Sequence, residues 1–147
     1  MDFKLKRKQN YELIKNIKNN NLLIVCKKIN ESLDKNEEVD ENIINMLFIN
    51  LLEENKMNEI IIIYNNILKS KFIVNDKLKT ILIRIYSDIN IVKSIEILKS
   101  VKIIKRRMLI PILYSYSKKK DINIINFYKR YFYNKFIMTL EEFKTIF

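Results

Sequence analysis

The sequence contains no glycine, alanine, histidine or tryptophan, and it has one cysteine and one proline. Without histidine, imidazole cannot serve as a general acid or base, and Ser-His and Cys-His nucleophile pairs are excluded. Without glycine, the glycine-rich loops that cradle phosphates cannot form. One cysteine supplies too few ligands for a zinc site. These absences predict a protein that is not an enzyme, needs no cofactor and has no small-molecule substrate.

Carboxylates are the remaining candidates for a metal site. Oxygen ligands suit Mg²⁺, but acids in the first turn of a helix also complement the helix dipole. The position of the acids at a predicted loop and helix start favours stabilisation of the helix over metal binding, and we predict no metal site. The only dense group consists of Glu37, Glu38, Asp40 and Glu41.

Cysteine use and hydropathy indicate the compartment. Cys26 cannot form an internal disulfide, which is typical of a reducing compartment, and its apolar neighbours predict a buried thiol. No run approaches the ~18 apolar residues that span a bilayer. The basic residues 1–8 are not followed by the apolar core of a signal peptide. We expect a cytoplasmic or nuclear protein that does not bind membranes.

The charge of this chain, formally +11, is unevenly distributed. Residues 31–59 contain nine acidic and two basic side chains, whereas residues 69–135 contain seventeen basic and four acidic ones. The abundance of lysine, asparagine and isoleucine is typical of AT-rich coding, which accounts for part of the lysine excess. Codon use does not account for the segregation. The segregation predicts a directional surface potential.

The spacing of apolar residues predicts an all-α fold. Ile44, Leu47, Phe48 and Leu51 follow the 3–4 spacing of one helix face, and similar patterns recur along the chain. The Asn-Gly and Asp-Gly pairs that mark β-hairpins are absent. The predicted helices span residues 4–18, 21–34, 40–54, 57–71, 76–87, 91–101, 107–118, 121–134 and 140–146.

Proline and asparagine predict where helices begin and end. Proline is tolerated in the first helical turn, so the helix that contains Pro111 is expected to begin near Arg107 or Met108. Asparagine is the best substitute for glycine in a left-handed C-cap. Turns are therefore expected at Asn19, Asn20, Asn21, Asn55 and Asn58.

The predicted helices form pairs near residues 4–34, 40–71, 76–101 and 107–134, with a final helix at 140–146. The first helices of successive pairs begin roughly 30 to 35 residues apart, a period typical of helix-turn-helix solenoids. In such a fold each pair buries its apolar face by stacking on the next pair. We predict a single helical-repeat domain over residues 1–147, with an irregular helical bundle as the alternative.

Residues 105–121, KRRMLIPILYSYSKKKD, resemble a pentatricopeptide repeat from the RNA-binding arm of protein-only RNase P. In that family a basic segment leads into a helix with an early proline, an aromatic end and a basic turn, where Lys120 replaces the family's glycine. Thr139–Phe143 resembles the acidic start of the next helix, and Asn45–Phe48 resembles the Asn-x-Leu-Leu of a first helix. The resemblance is specific only over residues 105–143, and the repeat's glycine and alanine positions are lost.

The resemblance implies that the first helices of the pairs contact RNA, in that family the folded corner of a tRNA precursor, without catalysis. In the family, the fifth residue of a first helix helps to read a base. The corresponding positions here are Asn45, Thr80 (or Lys79) and Ile110. Asn45 and Thr80 suit base edges but Ile110 does not, so we expect recognition of RNA shape and phosphates in place of a modular code.

Basic clusters lie at both ends of the predicted helix 107–118, about 18 Å apart at 1.5 Å per residue. That distance suits two phosphates of a folded RNA, and each neutralised phosphate releases counterions. Aromatic residues between 114 and 136 could stack on unpaired bases. Phe127, Tyr128, Tyr131 and Phe132, at helical spacing, are more typical of a core, whereas Tyr133 projects away from Phe127 and Tyr131. The predicted RNA-binding residues are Lys105, Arg106, Arg107, Lys118, Lys119, Lys120, Lys129, Arg130, Tyr133, Asn45 and Thr80.

We therefore expect non-catalytic binding of structured RNA, either tRNA-like or ribosomal, by a tRNA-processing accessory protein or a ribosome-associated protein. The partner would be RNA alone or a larger ribonucleoprotein such as a ribosome. The alternative is a protein–protein adapter, in which the acidic residues of 31–59 and apolar grooves engage a partner protein while the lysines keep the chain soluble.

Overall fold

The computed structural model describes residues 3–147, and that part of the chain contains helices and no strand. The all-α prediction is confirmed, and most helix ends lie within two residues of the predicted ones. The α-helices are α1 (Phe3–Lys18), α2 (Leu22–Asp34), α3 (Glu41–Glu53), α4 (Met57–Lys69), α5 (Asp76–Ile89), α6 (Ile91–Lys99), α7 (Arg106–Lys118), α8 (Asn123–Phe127) and α9 (Leu140–Ile146), and a π-helical turn spans Tyr128–Phe132.

The chain folds into two compact units, the N-terminal unit Met1–Leu78 and the C-terminal unit Lys79–Phe147. In the N-terminal unit, α1 pairs with α2 and α3 pairs with α4. The two pairs stack because α1 contacts α3 and α2 contacts α4. Fully buried side chains such as Val25, Phe48 and Ile63 form the core between them, and burial of one such side chain stabilises the fold by about 1.5–3 kcal/mol. Pair-on-pair stacking is the packing that a helical repeat requires.

Two acidic residues of the N-terminal unit, Glu38 and Asp40, make contacts within the fold. Asp40 is the N-cap of α3, where its carboxylate accepts hydrogen bonds from the backbone amides of Asn42 (2.8 Å) and Ile43 (3.4 Å). Glu38 forms an ion pair with Lys6 at 2.7 Å, and this hydrogen bond and the lysine's charge lower the pKa of Glu38. Across residues 3–147, no three metal-ligating side chains come together.

Helix α7 is the centre of the C-terminal unit. It contacts α6, α8, the π-helical turn and α9, and the hydroxyl of Ser115 donates a hydrogen bond to the backbone carbonyl of Ser87 on α5. Packing on several sides buries six of the thirteen residues of the helix. Its buried residues are Met108, Leu109, Ile112, Leu113, Ser115 and Tyr116.

Serine provides the small side chains of this unit, since the sequence has neither glycine nor alanine. Ser87, Ser94 and Ser115 are all buried. A buried hydroxyl costs free energy unless it is hydrogen-bonded, and each of these three donates to a backbone carbonyl. The serines therefore allow close helix packing without an unsatisfied donor.

Four helices end in a Schellman motif whose left-handed residue is not glycine. The left-handed residues are Asn20 (φ 61°), Asn36 (φ 53°), Asn55 (φ 55°) and Lys120 (φ 50°). After α7, for example, the amide of Asp121 donates to the carbonyl of Tyr116 at 3.0 Å. The turns predicted at Asn20 and Asn55 are confirmed, Asn36 was not predicted, and Asn58 lies inside α4.

Helix α7 begins at Arg106, within one residue of the predicted start near Arg107. Pro111 is nevertheless its sixth residue and lies beyond the first turn, where an ordinary amide would donate to the carbonyl of Arg107. A second prediction for the C-terminal unit is wrong. The predicted single helix 121–134 is instead α8 followed by the π-helical turn, in which the amide of Tyr133 donates to the carbonyl of Tyr128 at 2.9 Å. Apolar spacing does not distinguish i+4 from i+5 bonding over so short a segment.

Replacing Lys120 by glycine should stabilise the protein by about 1 kcal/mol, because a Cβ in the left-handed conformation costs about 1–2 kcal/mol and glycine has none. Urea unfolding followed by circular dichroism measures the change. Lys119→Gly is the matched control, since it removes the same charge at a residue with φ −84°. Equal effects of the two substitutions would contradict this account of the turn.

Candidate nucleic-acid interface

Nearly all of the net charge belongs to the C-terminal unit. Residues 79–147 contain fifteen basic and five acidic side chains, a formal charge of +10, whereas residues 1–78 contain thirteen basic and twelve acidic ones, a charge of +1. A unit of this charge attracts polyanions over distances of about a Debye length, roughly 8–10 Å at physiological salt.

One face of α7 is open to solvent. Arg107 and Lys118 are exposed, and Pro111 and Tyr114 are half-buried. These positions recur at a spacing of three or four residues, so they form one row along the helix. The row places the ring of Tyr114 between two cations.

More cations lie at the two ends of this row. Lys105, the N-cap residue, is exposed, and so are Lys119 and Lys120 in the turn after the helix. Within residues 3–147, none of these lysines forms a salt bridge, and neither does Arg107. Lys118 lies 3.9 Å from Asp88, but both side chains are mostly exposed, so the pair contributes little. We call this set, Lys105, Arg107, Tyr114, Lys118, Lys119 and Lys120, the α7 strip.

The position of Arg107 is not explained by helix stability. Cations in the first turn of a helix oppose the helix dipole, whereas cations near the C-terminus complement it. Lys118 and Lys119 can therefore be attributed to the helix, but Arg107 cannot. An exposed cation at this end of α7 favours the binding of an anion from outside the fold.

Arg106 contacts residues within its own unit. Its guanidinium forms an ion pair with Glu142 of α9 and donates from Nε to the carbonyl of Ile137 at 2.9 Å. It also lies 6.0 Å from the centre of the Phe132 ring. These contacts hold the start of α7 against the start of α9, so we do not include Arg106 in the α7 strip.

The segment 127–135 presents several of the other predicted residues. Tyr133 is exposed as predicted, and Lys129 is exposed too. The guanidinium of Arg130 lies 5.4 Å from the centre of the Tyr131 ring. Among the residues predicted to form core, Phe127 and Phe132 are buried, whereas Tyr128 and Tyr131 are only half-buried.

The three predicted base-reading positions do not share one environment. Asn45, on α3, belongs to the N-terminal unit and is half-buried, and its Oδ1 atom is buried without a hydrogen-bond partner in the described part of the chain. Thr80 and Ile110 belong to the C-terminal unit and are also half-buried. The cations of the α7 strip are more exposed than any of these three.

Sequence reasoning missed two groups of residues. Tyr114 was noted among the aromatics but not assigned to the site, although its spacing from Arg107 and Lys118 could have placed it there. Phe143 and Phe147 are both exposed on or next to α9, and their separation of four residues on a helix was the available signal.

Cys26 has the wrong environment for a nucleophile. Burial raises the pKa of its thiol to about 11, and the negative charge of Glu59 acts in the same direction. The thiol is therefore protonated near neutral pH, and a thiol without thiolate character is unreactive.

Comparison with protein-family models, curated proteins and solved structures finds no match to this chain. The resemblance to pentatricopeptide repeats therefore stays a prediction. No helix within residues 3–147 has the length and apolar character needed to cross a membrane.

Arg106 and Arg107 should respond differently to the same substitution. Arg106→Gln removes the ion pair with Glu142 and should lower the free energy of unfolding by up to about 1 kcal/mol. Arg107→Gln changes an exposed side chain and should alter it by less than about 0.5 kcal/mol. Urea unfolding of both variants measures the difference, and a larger loss for Arg107→Gln would contradict the contacts described here.

Glu142 should make stability depend on pH. Its carboxylate accepts a hydrogen bond from the backbone amide of Thr139 at 3.0 Å. This bond lowers the pKa of Glu142 from 4.5, and the Thr139 side chain and Arg106 act in the same direction, whereas partial burial acts in the opposite one. A lowered folded-state pKa stabilises the fold above the unfolded value, and the stabilisation is lost as pH falls through the lowered pKa. Wild type should therefore lose its stability advantage over Glu142→Gln on acidification below about pH 4.5. An advantage independent of pH would contradict this role.

Proposed function

We propose that this protein binds structured RNA, tRNA-like or ribosomal, without catalysis, and that the α7 strip is its main contact surface. The observation that carries the proposal is the row formed by the exposed Arg107 and Lys118 and the half-buried Tyr114, in a unit of charge +10. Arg107 and Lys119 lie at opposite ends of α7, about 18 Å apart. Separated cations of this kind can bind phosphates at two points of a folded backbone.

Phosphate binding supplies affinity that does not depend on sequence. Each neutralised phosphate releases condensed counterions, so the affinity falls as salt concentration rises. Phosphate contacts also fix the position of the nucleic acid on the protein. The ring of Tyr114, half-buried between the cations, adds a surface on which an unpaired base can stack.

Two features favour RNA as the polyanion. Folded RNAs expose unpaired bases next to their phosphates, and aromatic side chains beside cations suit both groups. The resemblance of residues 105–143 to pentatricopeptide repeats also points to RNA. Under this proposal the acidic residues of 31–59, in the near-neutral N-terminal unit, do not contact the RNA.

The double variant Arg107→Gln, Lys119→Gln tests the proposal. Its affinity for a folded RNA such as a tRNA should fall, and the slope of log affinity against log salt should become shallower by about 1.4 to 1.8, the loss expected for two phosphate contacts. Unrelated folded RNAs should be weakened to a similar extent, since phosphates carry no sequence information.

The matched control is Lys15→Gln, Lys18→Gln, which removes two exposed charges from α1 in the N-terminal unit. It should leave the salt slope nearly unchanged. Equal slopes for wild type and both variants would overturn the proposal, and so would equal losses in the two variants. If a partner protein stays bound to this chain after nuclease treatment, and the chain itself has no affinity for RNA, the adapter function is favoured.

A further inference from the structure

A chain of aromatic rings reaches the surface beside the π-helical turn. Phe143, Phe147 and Tyr133 are 53%, 49% and 57% exposed. The rings of Phe143 and Phe147 have centres 5.4 Å apart, and Phe147 lies edge-on to Tyr128 at the same distance. Tyr128 in turn lies 6.2 Å from Tyr133. We call these four residues the ring cluster.

The fold holds the ring cluster in place. Tyr128 stacks on Phe132, which is completely buried, with ring centres 5.6 Å apart and planes 22° from parallel. The start of α9 is fixed by a capping box between Thr139 and Glu142 and by the ion pair of Glu142 with Arg106. Side chains that are ordered before binding lose little conformational entropy when a ligand arrives.

The π-helical turn is what brings the tyrosines together. In a regular α-helix, residues three or four apart share a face. The bond from the amide of Tyr133 to the carbonyl of Tyr128 brings residues five apart onto the same side. π-helical turns are frequent at functional sites.

Lysines lie next to the rings in the sequence. Lys129 follows Tyr128, Lys144 follows Phe143, and both are exposed. Within residues 3–147 neither forms a salt bridge. Glu141 is an exposed acid on the same helix as Lys144. Two exposed lysines and one exposed acid therefore lie close to ring-cluster residues in the sequence, in a unit that carries a formal charge of +10.

We propose that the ring cluster stacks on unpaired bases of the bound RNA, while Lys129 and Lys144 contact the flanking phosphates. This proposal rests on the proposed function and adds to it the class of RNA, a fold with an accessible single-stranded loop or end. Every base has a π-face, so stacking on these rings is tolerant of sequence. The +10 charge of the C-terminal unit favours a polyanion, whose phosphates neutralise the lysines, over an apolar protein partner.

Two RNAs with the same stem distinguish the ring-cluster proposal from the proposed function. One is a hairpin with an unpaired loop, and the other is a blunt duplex without unpaired bases. The variant Tyr133→Leu, Phe143→Leu keeps apolar side chains but removes two π-faces. Its affinity for the hairpin should fall by at least about fivefold for each ring that stacks. Its affinity for the duplex should not change, and its salt slope on the hairpin should equal that of wild type.

Two variants act as controls. Phe143→Tyr keeps a ring and should lose less affinity for the hairpin than Phe143→Leu. Ile122→Ser removes an exposed apolar side chain outside the ring cluster, 79% exposed, and should bind like wild type. Thermal melts verify that each variant is folded.

The outcomes distinguish the two proposals. Unchanged hairpin affinity in the leucine variant, together with a loss in Arg107→Gln, Lys119→Gln, overturns the ring-cluster proposal and leaves the proposed function standing. Absence of RNA binding by wild type overturns both. If the leucine substitutions abolish self-association in sedimentation and leave hairpin binding intact, the rings form a protein interface and the proposal is wrong.

Discussion

The burial of α7 on several sides is the constraint on which the C-terminal unit depends. Helices α6, α8 and α9 and the π-helical turn all pack on it, and the bond from Ser115 to Ser87 ties it to α5. With those sides covered, a single face remains open, and its exposed residues include Arg107 and Lys118. The packing that stabilises the unit therefore also determines which side chains can meet a ligand.

The absence of glycine and alanine shapes how this packing is achieved. Left-handed turns use asparagine, and in one place Lys120, at a cost that glycine would avoid. Close helix contacts use serine, whose hydroxyl must then find a carbonyl. Lys120 has the left-handed conformation, which costs free energy, and it is also an exposed cation of the α7 strip. A substitution that stabilises the fold at this residue therefore also removes a predicted phosphate contact. Stability and binding are in conflict at this position.

Most of the fold could be predicted from the sequence, because 3–4 apolar spacing and asparagine-rich turns are local signals. The π-helical turn could not, since the apolar spacing of this short segment fits i+4 and i+5 bonding equally well. The same limit applied to the site. Cations were visible in the sequence, but only the structure distinguishes Arg106, which pairs with Glu142, from its neighbour Arg107, which is exposed. The exposure of Phe143 and Phe147 likewise depends on tertiary packing.

Protection of lysines from an amine-reactive reagent, mapped by mass spectrometry with and without a folded RNA, tests the central claim most directly. The account predicts that bound RNA protects Lys105, Lys119 and Lys120, all exposed in the C-terminal unit, from modification. It predicts unchanged reactivity for Lys15 and Lys18, exposed in the N-terminal unit. Uniform protection of all five, or protection confined to the N-terminal unit, would contradict the claim that the α7 strip is the RNA-binding surface.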